Sequence, residues 1–81
     1  MESERARKSL EKLESRMEDA RSLGFEGKYP QVFSLASQYA KDSRHYFSKQ
    51  DYFTSFGCSD YAYGLLDALL IIEGKKEEFP E

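Results

Sequence analysis

The sequence is poor in the residues that support covalent or metal-dependent chemistry. It has one cysteine, Cys58, so no disulfide can form within the chain. It also has one histidine, His45, so no metal site with two histidines can form. A glycine-rich phosphate loop and a cysteine pair are absent as well. These absences exclude a disulfide-stapled domain and argue against a metalloenzyme.

Long apolar segments are also missing. Residues 1–14 are densely charged and lack the apolar segment of a signal peptide, and Asp67 interrupts the most apolar run. A single free thiol is typical of a reducing compartment. We therefore expect a soluble, cytoplasmic protein without a membrane-spanning helix.

The charge balance limits the partners of the protein. Its 81 residues fit one small domain, with 33% charged and 40% apolar residues. The net charge is −3, and residues 51–81 alone hold seven acidic and two basic side chains, a net charge of −5. Nucleic-acid-binding domains usually present a dominant basic surface. A general nucleic-acid binder is therefore not expected.

Three segments have apolar or small residues every three or four positions, the pattern of helices with one buried side. The predicted helices cover about residues 3–23, 30–48 and 52–73, and residues 74–81 form a predicted mobile tail. A short second connection makes its flanking helices antiparallel. The sequence therefore predicts an all-α protein, an up-down-up three-helix bundle.

Local residue choices agree with these helix limits. Ser3 and Asp51 are predicted N-caps, Gly24 is a predicted C-cap, and Pro30 suits a first helical turn. The predicted core positions of the three helices are Ala6, Leu10, Leu13, Met17 and Ala20; Phe33, Ala36, Ala40, Ser43 and Phe47; and Tyr52, Ser55, Phe56, Ser59, Ala62, Tyr63, Leu66, Leu69 and Leu70.

The opposite side of the third predicted helix is the main candidate site. Gly57 and Gly64 each cost about 1 kcal/mol relative to alanine inside a helix, which indicates a close approach of another backbone. The simpler interpretation is internal packing against the small Ala6 and Ala20 of the first helix. The functional interpretation is an interface for self-association or a partner helix, formed by Gly57, Asp60, Tyr61, Gly64 and Asp67.

The candidate catalytic groups fit a structural role better. Asp60 and Asp67 are seven residues apart, about 10 Å along a helix, which is too far for joint action on one metal ion or bond. A Cys58–His45 nucleophilic pair is conceivable between neighbouring helices, but a cysteine in an apolar helix is usually a small buried hydrophobe. We expect no enzymatic activity and no cofactor.

A basic face on the second predicted helix offers an alternative. Lys41, Arg44 and Lys49 could contact an RNA backbone, although a solvated helix face has the same composition. Two functions therefore stay open: a module for protein–protein contact, including a homodimer, and an accessory RNA-binding protein.

The second half of the chain resembles an archaeal family, the domain-of-unknown-function family number 357. The matching features are Ala40 with Asp42, Tyr46-Phe47, Lys49-Gln50-Asp51-Tyr52, and the run from Tyr61 to Ala68. Gln50 stands where the family often has glycine, which predicts a differently wound turn. The resemblance implies a small three-helix bundle and brings no activity or catalytic residues.

Overall fold

The chain folds into four α-helices and one short 3₁₀ helix in a computed structural model that describes residues 1–80. Helix α1 spans Glu2–Ser22, α2 spans Phe25–Lys28, α3 spans Pro30–Ser48, α4 spans Tyr52–Ile72, and the 3₁₀ helix spans Lys76–Glu78. Residues 1–80 contain no strand. The protein is all-helical, as predicted, with three long helices and a short α2 that the sequence analysis missed.

Helix α4 is the central helix, because it makes most of the contacts between helices, with α3 on one side and α1 on the other. The predicted core positions are largely confirmed. Leu13, Ala36 and Leu66 are fully buried, whereas Leu10 and Phe47 are half-buried. Phe25 of α2 joins this core and is 1% exposed.

The helix ends confirm the predictions for Asp51 and Pro30. The Asp51 carboxylate accepts a hydrogen bond of 3.2 Å from the Thr54 amide, and Pro30 occupies the first turn of α3. The C-cap of α1 is Leu23, and the predicted Gly24 follows it with a φ of 79°, a left-handed conformation that suits glycine. The Ser3 prediction is wrong: α1 begins at Glu2, with Met1 as N-cap and no side-chain cap.

Helices α3 and α4 are joined by a buried serine pair near their shared turn. The Ser43 hydroxyl donates to the Ser55 carbonyl, and the Ser55 hydroxyl donates to the Ser43 carbonyl, both at 2.8 Å. Both residues are 0% exposed. Each hydroxyl thus donates its hydrogen bond to the backbone carbonyl of the other residue. Two polar residues can therefore lie in the core at little cost in free energy.

The C-terminal segment differs from the mobile tail that the sequence predicts. It turns through the 3₁₀ helix and returns Phe79 to the core, where its side chain is half-buried. The Phe79 carbonyl accepts a hydrogen bond of 2.9 Å from Arg16 of α1. These contacts place the segment against α1 and the core. Glu81, the last residue of the predicted tail, lies outside the described residues.

Candidate functional site

The side of α4 that faces away from the core carries a row of exposed, mostly apolar residues. Helical spacing places them on one side of α4, because they recur at intervals of three and four. We call this row the outer face of α4. It consists of Phe53, Gly57, Tyr61, Gly64, Ala68, Ile71 and Ile72, all of them exposed.

The large side chains of the outer face are unusually exposed to solvent for apolar residues. Phe53 is 82% exposed, Ile72 is 69% exposed and Ile71 is 61% exposed. Tyr61 is 49% exposed and packs edge-on against Tyr39 of α3, with 4.7 Å between the ring centres. The apolar residues thus cluster at the two ends of α4, and an anchored tyrosine lies between them.

The two glycines of α4 face open space. A Cβ atom added at Gly57 or Gly64 would meet no other atom within 4 Å. The prediction of internal packing against α1 is therefore wrong. Ala6 and Ala20, the residues expected to oppose the glycines, are buried elsewhere in the core. Between Phe53 and Ile71 the glycines leave the outer face flat.

The two predicted aspartates of the interface are placed differently. Asp60 is exposed at the edge of the outer face, in a shallow groove that Arg5 and Lys8 of α1 also line. Asp67 is turned toward α1, and only 19% of its side chain is exposed. Its Oδ1 lies 2.8 Å from the Lys76 ammonium and 4.0 Å from Arg16. Grouping Asp67 with the interface was wrong, because its carboxylate belongs to an internal ion pair.

Arg16 is a buried cation that the sequence analysis missed. It is 4% exposed, and its guanidinium donates to the Tyr63 hydroxyl at 2.6 Å as well as to the Phe79 carbonyl. The guanidinium also lies 4.9 Å from the centre of the Tyr63 ring. A buried charge needs several partners, and these groups, with Asp67, supply them. The cluster joins α1, α4 and the C-terminal segment.

A second polar cluster joins the C-terminal end of α4 to the end of α2 and the residue that follows it. The Lys28 ammonium lies 2.6 Å from the Glu73 carboxylate, and the Tyr29 hydroxyl donates to the same carboxylate. Hydrogen bonds from Lys28 and then Tyr29 hold the pKa of Glu73 below its ordinary value of 4.5. The hydrogen bond with Glu73 raises the pKa of Lys28 and that of Tyr29. This arrangement of three ionisable groups is a structural link between helix ends.

The predicted basic face has an acidic neighbour. Lys41, Arg44 and Lys49 are all exposed. Arg44 donates to the Glu14 carboxylate of α1 at 3.2 Å. The groove beside Arg44 is lined by Glu14 and Glu18 as well as Arg21. The central cation of this face is thus already paired with an acid.

The candidate nucleophile has an unfavourable environment. Cys58 is half-buried, and burial, with further contributions from the Asp42 and Asp51 charges, raises the pKa of its thiol. A raised pKa reduces the fraction of thiolate, the reactive form, at neutral pH. His45 is exposed and packs edge-on against Tyr46, with 5.2 Å between ring centres.

Two further properties concern the described residues alone. Residues 1–80 contain no group of three histidine, cysteine, aspartate or glutamate side chains that could hold a metal ion. Among the helices in this part of the chain, none combines the length and apolar character needed to cross a membrane.

Comparison with known proteins extends the resemblance found in the sequence. No curated protein and no solved structure matches the chain. The family model described as "Protein of unknown function (DUF357)" matches residues 3–74. The matched region includes α2, α3 and α4 and nearly all of α1, which the sequence resemblance had reached only by its pattern of apolar residues. The protein therefore belongs to the DUF357 family.

Proposed function

We propose that this protein is a non-enzymatic helical module that binds another protein surface through the outer face of α4. The observation that carries the proposal is the exposure of Phe53, Tyr61, Ile71 and Ile72 on one side of one helix. Isolated exposed apolar residues are common on protein surfaces, whereas several of them aligned on one face of a helix usually mark a contact surface.

The arrangement of the long helices supports this proposal. Ser43 contacts Ser55, Tyr39 contacts Tyr61, and Tyr29 contacts Glu73. Later positions along α3 thus contact earlier positions along α4. In contrast, Ser9 contacts Ser59 and Arg16 contacts Tyr63, so that α1 and α4 advance together. We infer an up-down-up bundle in which α4 has α1 and α3 at its sides and leaves a full helix face uncovered.

The flatness of the outer face also favours a protein partner. Glycine allows two helix backbones to approach closely, and large side chains at both ends can pack around the partner. The Cys58 thiol, with its raised pKa, is a poor nucleophile. Both observations favour a binding role over a hydrolytic one. The cytoplasmic location stays a prediction.

A photo-crosslinking experiment tests the proposal. A photoreactive phenylalanine analogue at Phe53 would lie in the outer face and replace an aromatic side chain that is 82% exposed. The matched control has the same amino acid at the exposed Lys41 of α3. We expect protein adducts, either with this chain or with another one, from position 53 and not from position 41 in cells that produce the protein. Equal labelling from both positions, or none from position 53, would contradict the proposal.

The RNA-binding alternative, through Lys41, Arg44 and Lys49, stays a prediction. The Glu14 carboxylate beside Arg44 reduces the net charge of that face. The position-41 variant reports on this alternative directly, because adducts of that variant with RNA would support it. A binding reaction that weakens with salt and with serine at all three positions would do the same.

A further inference from the structure

We infer that the outer face of α4 is covered by a second copy of this chain, with the two α4 helices packed antiparallel around a twofold axis near Tyr61 and Gly64. The inference rests on the proposed function, because it names the partner of the same surface. A homodimer contact of this kind uses one patch twice, so the patch must be complementary to itself.

The outer face meets this requirement in one register. When Tyr61 lies opposite Gly64 of the second copy, Gly57 lies opposite Ala68, and Phe53 lies opposite Ile72. The first pair brings a large residue to a small one, and the second pair brings two small residues together. The third pair places two large apolar residues at the end of the contact. Because the axis is twofold, every pair occurs twice. The central tyrosines fill the space that the glycines leave open.

A parallel pairing of two α4 helices fits less well. It would place Tyr61 against Tyr61 and Phe53 against Phe53, and it would set each glycine opposite its own copy. Two bulky contacts would then hold the helices apart at the positions where the glycines allow close approach. The antiparallel register avoids this conflict.

The exposed apolar side chains supply a little over half of the area that a standard dimer contact buries, and their neighbours add to it. From the typical areas of such side chains, the exposed fractions of Phe53, Tyr61, Ile71 and Ile72 correspond to roughly 450 Å² per copy. A standard protein interface buries about 800 Å² per partner. The glycine backbone and the exposed Ala68 supply further area. A domain of 81 residues has a small core, so such burial also stabilises the fold.

The charges do not oppose this contact. The outer face itself carries no ionisable side chain other than the Tyr61 hydroxyl. Asp60 lies at its edge toward α1, where Arg5 and Lys8 line the same groove. Asp67 points away from the surface toward Arg16 and Lys76. A second copy can therefore approach while Asp67 keeps its contacts with Arg16 and Lys76 and while Asp60 stays at the edge of the contact.

Single-cysteine variants of the purified full chain test the inference. All of them are made in a Cys58→Ser background, so that the introduced thiol is the only one. Disulfide formation in a glutathione buffer is measured by mass under non-reducing conditions. Circular dichroism checks that each variant keeps its helix content.

The antiparallel register predicts a specific pattern of crosslinks. Gly64→Cys should form a disulfide-linked dimer by itself, because the two positions lie close to the axis. Gly57→Cys should not, since its two copies would be about 16 Å apart along the helices, beyond disulfide reach. A mixture of Gly57→Cys and Ala68→Cys should form the mixed dimer. Efficient crosslinking of Gly57→Cys to itself would indicate a parallel pairing and would overturn the inference.

Solution mass over a concentration series separates this inference from the proposed function. We expect a dimer for the unmodified chain and a monomer of unchanged helicity for Gly64→Arg. A chain that is monomeric at every concentration would overturn the inference. If the photoreactive residue at position 53 still forms adducts with a different protein, the proposed function stands. If position 53 forms no protein adducts at all, both fail.

Discussion

Gln50, in the turn between α3 and α4, is the one non-glycine residue with a positive φ in the described part of the chain, at 64°. In this left-handed region a side chain with a Cβ atom is strained, and glycine is not. The turn is nevertheless well bonded, since the Asp51 amide donates to the Tyr46 carbonyl at 2.9 Å. The turn therefore requires the conformation that glycine adopts easily, and Gln50 adopts it at some cost.

Replacing Gln50 by glycine should stabilise the protein. The left-handed strain of a non-glycine residue amounts to about 1 kcal/mol or more, and the greater flexibility of glycine in the unfolded chain offsets part of this gain. We expect the free energy of unfolding to increase by about 0.5–1 kcal/mol in urea denaturation. Gln50→Ala is the matched control and should change it little, because alanine is strained in the same way. A destabilised Gln50→Gly variant would mean that the glutamine side chain makes a contact worth more than the strain.

At the scale of helices, the uncovered side of α4 explains why two glycines are tolerated inside it. No other helix of the same chain packs against these glycines, since a Cβ atom at either position would meet no atom within 4 Å. The helix loses stability at these two positions, and the burial of Leu66, Leu69 and Leu70 on its inner side compensates. Such a loss without an internal reason is consistent with a partner outside the monomer.

Alanine at Gly57 or Gly64 should therefore stabilise the monomer. Each substitution replaces the poorest ordinary helix former by the best one, worth about 1 kcal/mol in an exposed helix interior. Thermal unfolding at low protein concentration, where a dimer is dissociated, measures this gain for each variant. Gly27→Ala in the short α2, which also has open space around it, is a comparison outside α4. A loss of stability at Gly57 or Gly64 would restore the internal-packing interpretation.

The helices also indicate how far sequence reasoning reaches in this protein. Spacing identified the core because the buried positions of a long helix recur with its period. It missed Arg16, since a cation is buried only where partners from distant segments converge, here Tyr63 and Phe79. The same convergence orders the C-terminal segment, which looks like a polar tail when read alone. The glycines of α4 identify the outer face in the sequence. The position of Asp67 outside this face could not be predicted, because it depends on the contacts of its carboxylate with Arg16 and Lys76.

At the scale of the whole molecule, the cluster of Lys28, Tyr29 and Glu73 ties the middle of the chain to the end of α4. The hydrogen bonds that lower the pKa of Glu73 stabilise the fold while this carboxylate is ionised. That contribution is present above pH 4.5, the ordinary pKa of glutamate here, and is lost as the pH falls toward the lowered pKa of the folded state. The raised pKa values of Tyr29 and Lys28 act in the opposite direction. Their contribution is present below pH 10 and is lost as the pH rises through those raised values.

Glu73→Gln should accordingly reduce stability near neutral pH and weaken its dependence on pH at both extremes. Glutamine keeps the size of the side chain but removes the charge that Lys28 and Tyr29 bind. The measurement is the urea midpoint between pH 3 and 11, compared with Glu26→Gln, which removes an exposed carboxylate on α2. The control should follow the unmodified chain across the whole range. If Glu73→Gln also follows it, the three-residue cluster contributes nothing to stability. The attachment of α2 to the rest of the protein must then depend on the burial of Phe25 in the core, against which Tyr29 also packs.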